Sequence, residues 1–300
     1  MIPSLASRHS WFEATARKRI AGLLDSGSFS EILPPVASSP SPHLAKLDLP
    51  GAFDDGIVIG CGQLEKQLIF IAAQEGQFMG GAVGEIHGAK LVGLLKRAAR
   101  EKPAAVLLLI DSGGVRLHEA NAGLIAISEI MRAVLATRAA GVPVLALIGG
   151  SCGAFGGMGI VAKLCSAILI SEEGRLALSG PEVIETVAGV EEFDSKDRAL
   201  VWRVTGGKHR YLMGDCAALV EDDIPAFRAG AAEFLATWTE PVPGVAQLRA
   251  NQQMLENRLA AYATFRDGLQ VWAALGVLQP ETVPLLDRDS LVALKEGLPI

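Results

Sequence analysis

The chain has no C-x-x-C pair among its four cysteines, Cys61, Cys152, Cys165 and Cys216, and no histidine cluster beside them. That spacing suits neither a zinc ribbon nor a disulfide framework, so the thiols read as reduced and the protein as cytoplasmic. A basic excess is missing too: 27 Lys and Arg stand against 33 Asp and Glu, a formal net charge of −6. Nucleic acid and anionic membranes need a concentrated cationic surface to displace counterions, which excludes both as partners. No uncharged apolar run reaches membrane-spanning length, and the opening MIPSLASRHSWFEATARKRI holds no signal-peptide core. Neither G-x-x-x-x-G-K-[ST] nor a G-x-G-x-x-G after a strand occurs, which removes P-loop hydrolysis and Rossmann binding. No metal constellation emerges.

What is present is apolar sequence: half of the 300 residues, enough for a large α/β core. The pattern divides the chain into an N-terminal helix and Pro/Ser-rich connection (1–50), a central α/β domain (51–222) and a C-terminal helical segment for packing or docking (223–300). Phe12, Ile20, Leu23 and Leu24 at helical spacing predict a helix over 10–24, ending near Asp25-Ser26-Gly27, with Arg17, Lys18 and Arg19 on a basic face. Pro34, Pro35, Pro40, Pro42 and Pro50 mark an extended connection with few core contacts. From Gly56 on, apolar strands at 57–59, 68–71, 106–110, 142–148 and 167–170 alternate with helices near 86–101, 119–139 and 156–164. Continuous apolar strands between helices predict a buried sheet with helices packed over it. In the tail, one longer helical stretch spans Leu248 to Leu275.

Two strands end in glycine-rich turns that open helices: Asp111-Ser112-Gly113-Gly114-Val115-Arg116 and Gly149-Gly150-Ser151-Cys152-Gly153-Ala154-Phe155-Gly156-Gly157. A third element, Phe78-Met79-Gly80-Gly81, also precedes a helix. Glycine lets backbone approach a ligand closely, and a helix start offers unpaired N–H groups with a favourable dipole. Two such turns facing each other can cradle an oxyanion; equally, glycines can simply end strands tightly.

Gly149-Gly150-Ser151-Cys152-Gly153 formally matches the G-x-S-x-G nucleophile elbow. A triad then needs an acid and a histidine downstream, and only His209 follows, so a serine hydrolase using Ser151 is a remote alternative. His118 and Glu119 can act as acid or base, or cap the next helix. Arg116 can contact a phosphate or carboxylate, or pair with Glu119.

In order, Thr15 to Ile20, Leu24 to Phe29, Phe78 to Gly81, Ser112 to Arg116, Gly156-Gly157 and Ser179-Gly180-Pro181-Glu182-Val183-Ile184-Glu185 resemble the acyl-CoA carboxyltransferases of the crotonase-like fold. The resemblance runs from about residue 13 to 220 and matches that family's N-terminal-domain type. Within the family the chain is most similar to the β subunits of biotin-independent malonate decarboxylases; the missing zinc ribbon sets it apart from bacterial acetyl-CoA carboxylase β subunits. The resemblance implies an α/β crotonase-like fold of repeated ββα units and a malonyl thioester as substrate, giving acetyl thioester and CO₂. It implies an acyl-carrier subunit bearing a CoA-like arm (phosphoribosyl-dephospho-CoA), no biotin and no metal, and a homologous γ subunit completing the site. Oxyanion donation then falls to Gly113, Gly114, Gly156 and Gly157. Gly80, Gly81, Val115, Arg116, Ser151 and Cys152 line the pocket, and Arg17, Lys18 and Arg19 meet the arm's phosphates. Transfer of the carboxyl group to biotin is the alternative reaction, and a non-catalytic scaffold the remaining one.

Overall fold

A computed structural model describes residues 9–37, 39–48, 51, 54–239, 241 and 244–298; Pro50 and the whole MIPSLASR opening lie outside these residues. The chain begins with α1 (Ala16–Leu23), β1 (Ser30–Ile32) and α2 (Pro42–Lys46). β2 (Ile57–Leu64) and β3 (Gln67–Gln74) form a hairpin, followed by α3 (Glu85–Glu101), β4 (Ala105–Ile110), α4 (Ala122–Ala139), β5 (Val144–Ile148), α5 (Gly157–Leu164) and β6 (Ala167–Ser171). Then come α6 (Pro181–Ala188), α7 (Arg198–Thr205), α8 (Gly207–Leu212), β7 (Ala218–Val220) and α9 (Ile224–Thr237). The tail holds α10 (Val245–Tyr262), α11 (Gly268–Ala274) and α12 (Arg288–Glu296).

The strands form one seven-stranded sheet in sequence order, antiparallel across β1-β2-β3 and parallel from β3 to β7. Both faces are covered, as unbroken apolar strands require. Along β4, Val106, Leu108 and Ile110 join the core beneath α3, α4 and α5, while Ala105, Leu107 and Leu109 pack under α1 and α9. Each large aliphatic side chain so buried contributes about 1.5–3 kcal/mol. Among the described residues no helix is long and apolar enough to cross a membrane.

β2 and β3 run longer than the expected 57–59 and 68–71, α2 interrupts the expected extended connection, and three helix boundaries differ from the sequence expectation for local reasons. The first helix starts at Ala16, not near residue 10, because Thr15 caps it, its hydroxyl accepting the Lys18 N–H at 3.4 Å. The helix expected from 119 starts at Ala122, because Leu117–Glu119 form a separate 3-10 turn ended by Ala120 at φ 52°. The long tail helix is broken: α11 begins at its own capping box, Asp267 with Gln270.

Candidate active site

Parallel pairing brings the carboxyl ends of β3, β4, β5 and β6 to one edge of the sheet, where open α/β sheets bind ligands. The segments leaving those ends are stitched into a second, minimal ladder of single parallel bridges: Val83 with Val115, Ser112 with Ala154, and Ala154 with Leu176. The second strand of each ββα repeat is thus one residue long. All three glycine elements meet here. A Cβ on Gly81 would lie 1.7 Å from the Asp111 carbonyl oxygen, and one on Gly156 would lie 3.3 Å from Gly114 Cα. Only glycine permits the first approach.

The amide hydrogens divide into committed and free. Gly113 donates to the Gly80 carbonyl at 2.9 Å and Gly156 to the Leu178 carbonyl at 2.8 Å. Gly114 makes a long 3.3 Å contact to the Ser112 hydroxyl. Val115, Gly157 and Met158 meet no acceptor among the described residues. Gly157 and Met158 open α5, whose N-cap is Gly156 at φ 58°, ψ −137°, without a side-chain cap or an acidic residue in the first turn. The positive end of an eight-residue helix therefore faces the Gly113-Gly114 turn uncompensated. Of the four glycines expected as donors, Gly113 and Gly156 spend their N–H groups on the ladder and Gly157 keeps its own free, with Val115 and Met158 as further free donors beside them. Gly80 sits beside the site through its carbonyl.

The Arg116 side chain turns inward, away from the free amides of the turns' helix start. Its guanidinium is buried, donating to Glu119 at 3.1 Å, to the Ala82 carbonyl at 3.0 Å and to the Asp55 carbonyl, over the Phe78 ring. Glu119 is buried as well and accepts the Glu85 N–H at 2.6 Å, a structural role. His118 is half-buried.

The basic triplet also changes. Arg19 is buried and paired with Asp111 at 2.9 Å; Arg17 pairs with Glu31; Lys18 alone is exposed without an ion pair among the described residues. Ala16, Arg19, Ile20 and Leu23 form the buried stripe of α1, the i, i+3, i+4, i+7 spacing of an inward face. Asp111, absent from the expected site, was detectable as the acid ending an apolar strand opposite a charge on that stripe.

Ser151 is exposed, and its hydroxyl touches only Cys152 Sγ, at 4.0 Å. His209 is buried, and burial followed by the Arg210 charge pushes its pKa down to about 3. The elbow lacks its base. Cys152 is half-buried, its N–H donated to Asp111 at 2.7 Å and its thiol directed to the Gly76 carbonyl at 3.3 Å. Burial and then the Asp111 charge push that thiol's pKa up, away from thiolate chemistry.

Residues 8–253 match the model of the carboxyl transferase domain. The chain belongs to the carboxyl transferase family. It is 40% identical over 307 aligned positions, covering 96% of both chains, to the malonyl-S-ACP:biotin-protein carboxyltransferase of Malonomonas rubra. It also resembles a Pseudomonas malonate decarboxylase hetero-tetramer solved with malonate: 41% identity, TM-score 0.79, 88% of this chain and 96% of that one. Transcarboxylase 12S shares the fold at 25% identity and TM-score 0.63, but this carboxyl transferase chain spans only 42% of its length. These neighbours are crotonase-fold enzymes, as the resemblance implied.

Proposed function

We propose that the chain is the subunit of a malonyl-thioester decarboxylase that holds the enolate, converting a malonyl thioester on an acyl-carrier protein into acetyl thioester and CO₂. The observation that carries this reading is the set of unbonded N–H groups of Val115, Gly157 and Met158 where the two glycine turns touch. Departure of CO₂ leaves its electron pair on the thioester as an enolate, with negative charge on the former carbonyl oxygen. Preorganised backbone donors at that oxygen lower the barrier, each worth about 3 kcal/mol in comparable sites. The step calls for neither a nucleophile nor a metal, in keeping with an elbow that has no base.

The thioester arrives on a CoA-like arm, and of the expected phosphate contacts Lys18 alone stays available. A homologous γ subunit completes the site. Supporting this, exposed apolar side chains surround the turns: Leu117 just past Gly114, Leu178 opposite Gly156, and Val183 and Val187 on α6. Apolar patches of this kind mark interaction surfaces, and the similar Pseudomonas enzyme is a hetero-tetramer.

A second reading, transfer of the carboxyl group to biotin, is favoured by the Malonomonas relative, whose acceptor is a biotin protein. Both reactions pass through the same enolate and differ in where the carboxyl group goes. CO₂ release from a malonyl thioester by the co-purified complex, with free biotin tested in parallel, separates them. CO₂ and acetyl thioester without biotin support decarboxylation; carboxybiotin without net CO₂ replaces it with transfer; neither product points to a scaffold.

A further inference from the structure

Beyond the β6 turn lies a separate cavity of about 160 Å³, lined by Glu172, Ala199, Trp202, Lys208, Trp272 and Pro284. Its walls are held firmly. Arg203 clamps Asp267 through three bonds, Nε to Oδ1 at 2.8 Å, Nε to Oδ2 at 3.0 Å and Nη2 to Oδ2 at 2.8 Å. A Cβ on Gly268 would lie 2.1 Å from the Arg203 carbonyl oxygen, so α11 sits directly on α7. That clamp delivers Trp272, which is 1% exposed and whose indole N–H has no acceptor. The neighbouring His209 ring, 6.0 Å away, likewise leaves Nδ1 without a partner. Buried polar groups are rarely left unpaired, and the Trp272 N–H on the cavity wall calls for an explanation.

The cavity's chemistry is specific. The Lys208 ammonium has three donors, of which two are used, on the Pro284 carbonyl at 2.7 Å and Glu172 at 2.9 Å. Arg203 is consumed by Asp267, so one cation serves the space. Trp202 and Trp272 supply indole surface, the Trp202 ring also carrying the Arg175 and Arg198 guanidiniums at 4.7 and 5.5 Å, and Ala199 and Pro284 supply apolar walls. We propose that this cavity binds a small aromatic monocarboxylate, its ring against the indoles and its carboxylate on Lys208 in place of Glu172. One available cation and apolar walls disfavour a dicarboxylate, whose second charge would be buried unpaired.

One segment runs from the cavity to the glycine turns. Glu172 begins the segment whose Arg175 carbonyl accepts the Ala154 N–H and whose Leu178 carbonyl accepts the Gly156 N–H. Arg175 is also stacked 4.7 Å from Trp202.

Titrating the assembled complex with benzoate, and with benzamide as its uncharged counterpart, while following tryptophan fluorescence tests it without any turnover. Saturation by benzoate at one site per chain is expected, with benzamide about tenfold weaker, as a hydrogen bond to a charged group is worth. Lys208→Met should abolish that preference, Trp202→Leu should weaken both ligands, and Glu172→Gln, on an exposed side chain, should tighten benzoate by freeing Lys208. Absence of saturation in the native complex, or benzoate binding unchanged in Lys208→Met and Glu172→Gln, overturns the proposal.

Discussion

Arg19 and Asp111 form a buried ion pair, Nη1 to Oδ2 2.9 Å, with both side chains at most 3% exposed. The pair ties the N-terminal helix to the turn that carries Gly113 and Gly114. Arg19 is anchored further by the Trp11 carbonyl at 2.9 Å, and Asp111 accepts the Cys152 N–H at 2.7 Å. Cβ atoms on Gly76 and Gly150 would fall 2.6 and 2.1 Å from the carboxylate, so it has nowhere to move. Burial pushes the Asp111 pKa up, and the Arg19 charge opposes that shift. Removing Arg19 leaves an uncompensated buried charge, which costs about 3–5 kcal/mol. Arg19→Met should therefore lower stability to denaturant by that order, and Arg19→Met with Asp111→Asn should recover part of the loss. A double variant no more stable than the single one would refute the charge argument.

The division of amide hydrogens predicts unequal glycines. At Gly113 a Cβ meets only the Gly80 carbonyl oxygen, at 3.4 Å, and the N–H is already used. At Gly156, φ 58° with ψ −137° is strained for any other residue, and α5 would have to shift its first amides. Gly113→Ala should keep most of the decarboxylation rate, whereas Gly156→Ala should lose about two orders of magnitude in kcat. Equal losses would place a donor at Gly113 after all.

Acid should unfold the protein through two buried imidazoles. His87 and His209 are each pushed down to about 3, in both cases chiefly by burial. A depressed pKa means the folded state binds fewer protons, so this stability is present above the unfolded value near 6.5 and is lost as pH falls toward 3. Each histidine should remove about 2 kcal/mol between pH 6.5 and 5. Urea titrations at the two pH values measure the slope, and His209→Phe should flatten it; an unchanged slope would mean that His209 charges in place.

The apolar rim should decide association. Leu117 is 86% exposed and Val187 83%, so a charge at either disturbs no core. Leu117→Glu with Val187→Glu should leave the melting temperature within about 2 °C while preventing co-purification with a homologous partner. Retention of the complex would locate the interface elsewhere.

Much of the architecture was legible because strand and helix differ in period: β4, β5 and β6 announce themselves as apolar runs, and the glycine turns stand at their ends. The free donors were not legible. Whether Gly113 or Val115 keeps its N–H depends on Gly80, more than thirty residues away, and the fate of Gly156 depends on Leu178. Such commitments are set by how separate turns meet in space. Arg116 illustrates the same limit: its spacing to Glu119 was visible, but the Asp55 and Ala82 carbonyls that complete its burial were not. The broken tail helix hinged on a local cap at Asp267, inside a stretch whose apolar spacing continues past it.

The single-residue bridges at Val83, Val115, Ser112, Ala154 and Leu176 bear on how the family can vary. A conventional strand tolerates a bulge, since neighbouring pairs keep the register. Here each bridge is a single residue pair with no continuous ladder beside it, and adding or removing one residue in any turn would slide its amides off the others. Loop length at the carboxyl edge is therefore under tighter constraint than loop composition, and insertions belong instead in exposed stretches such as α10.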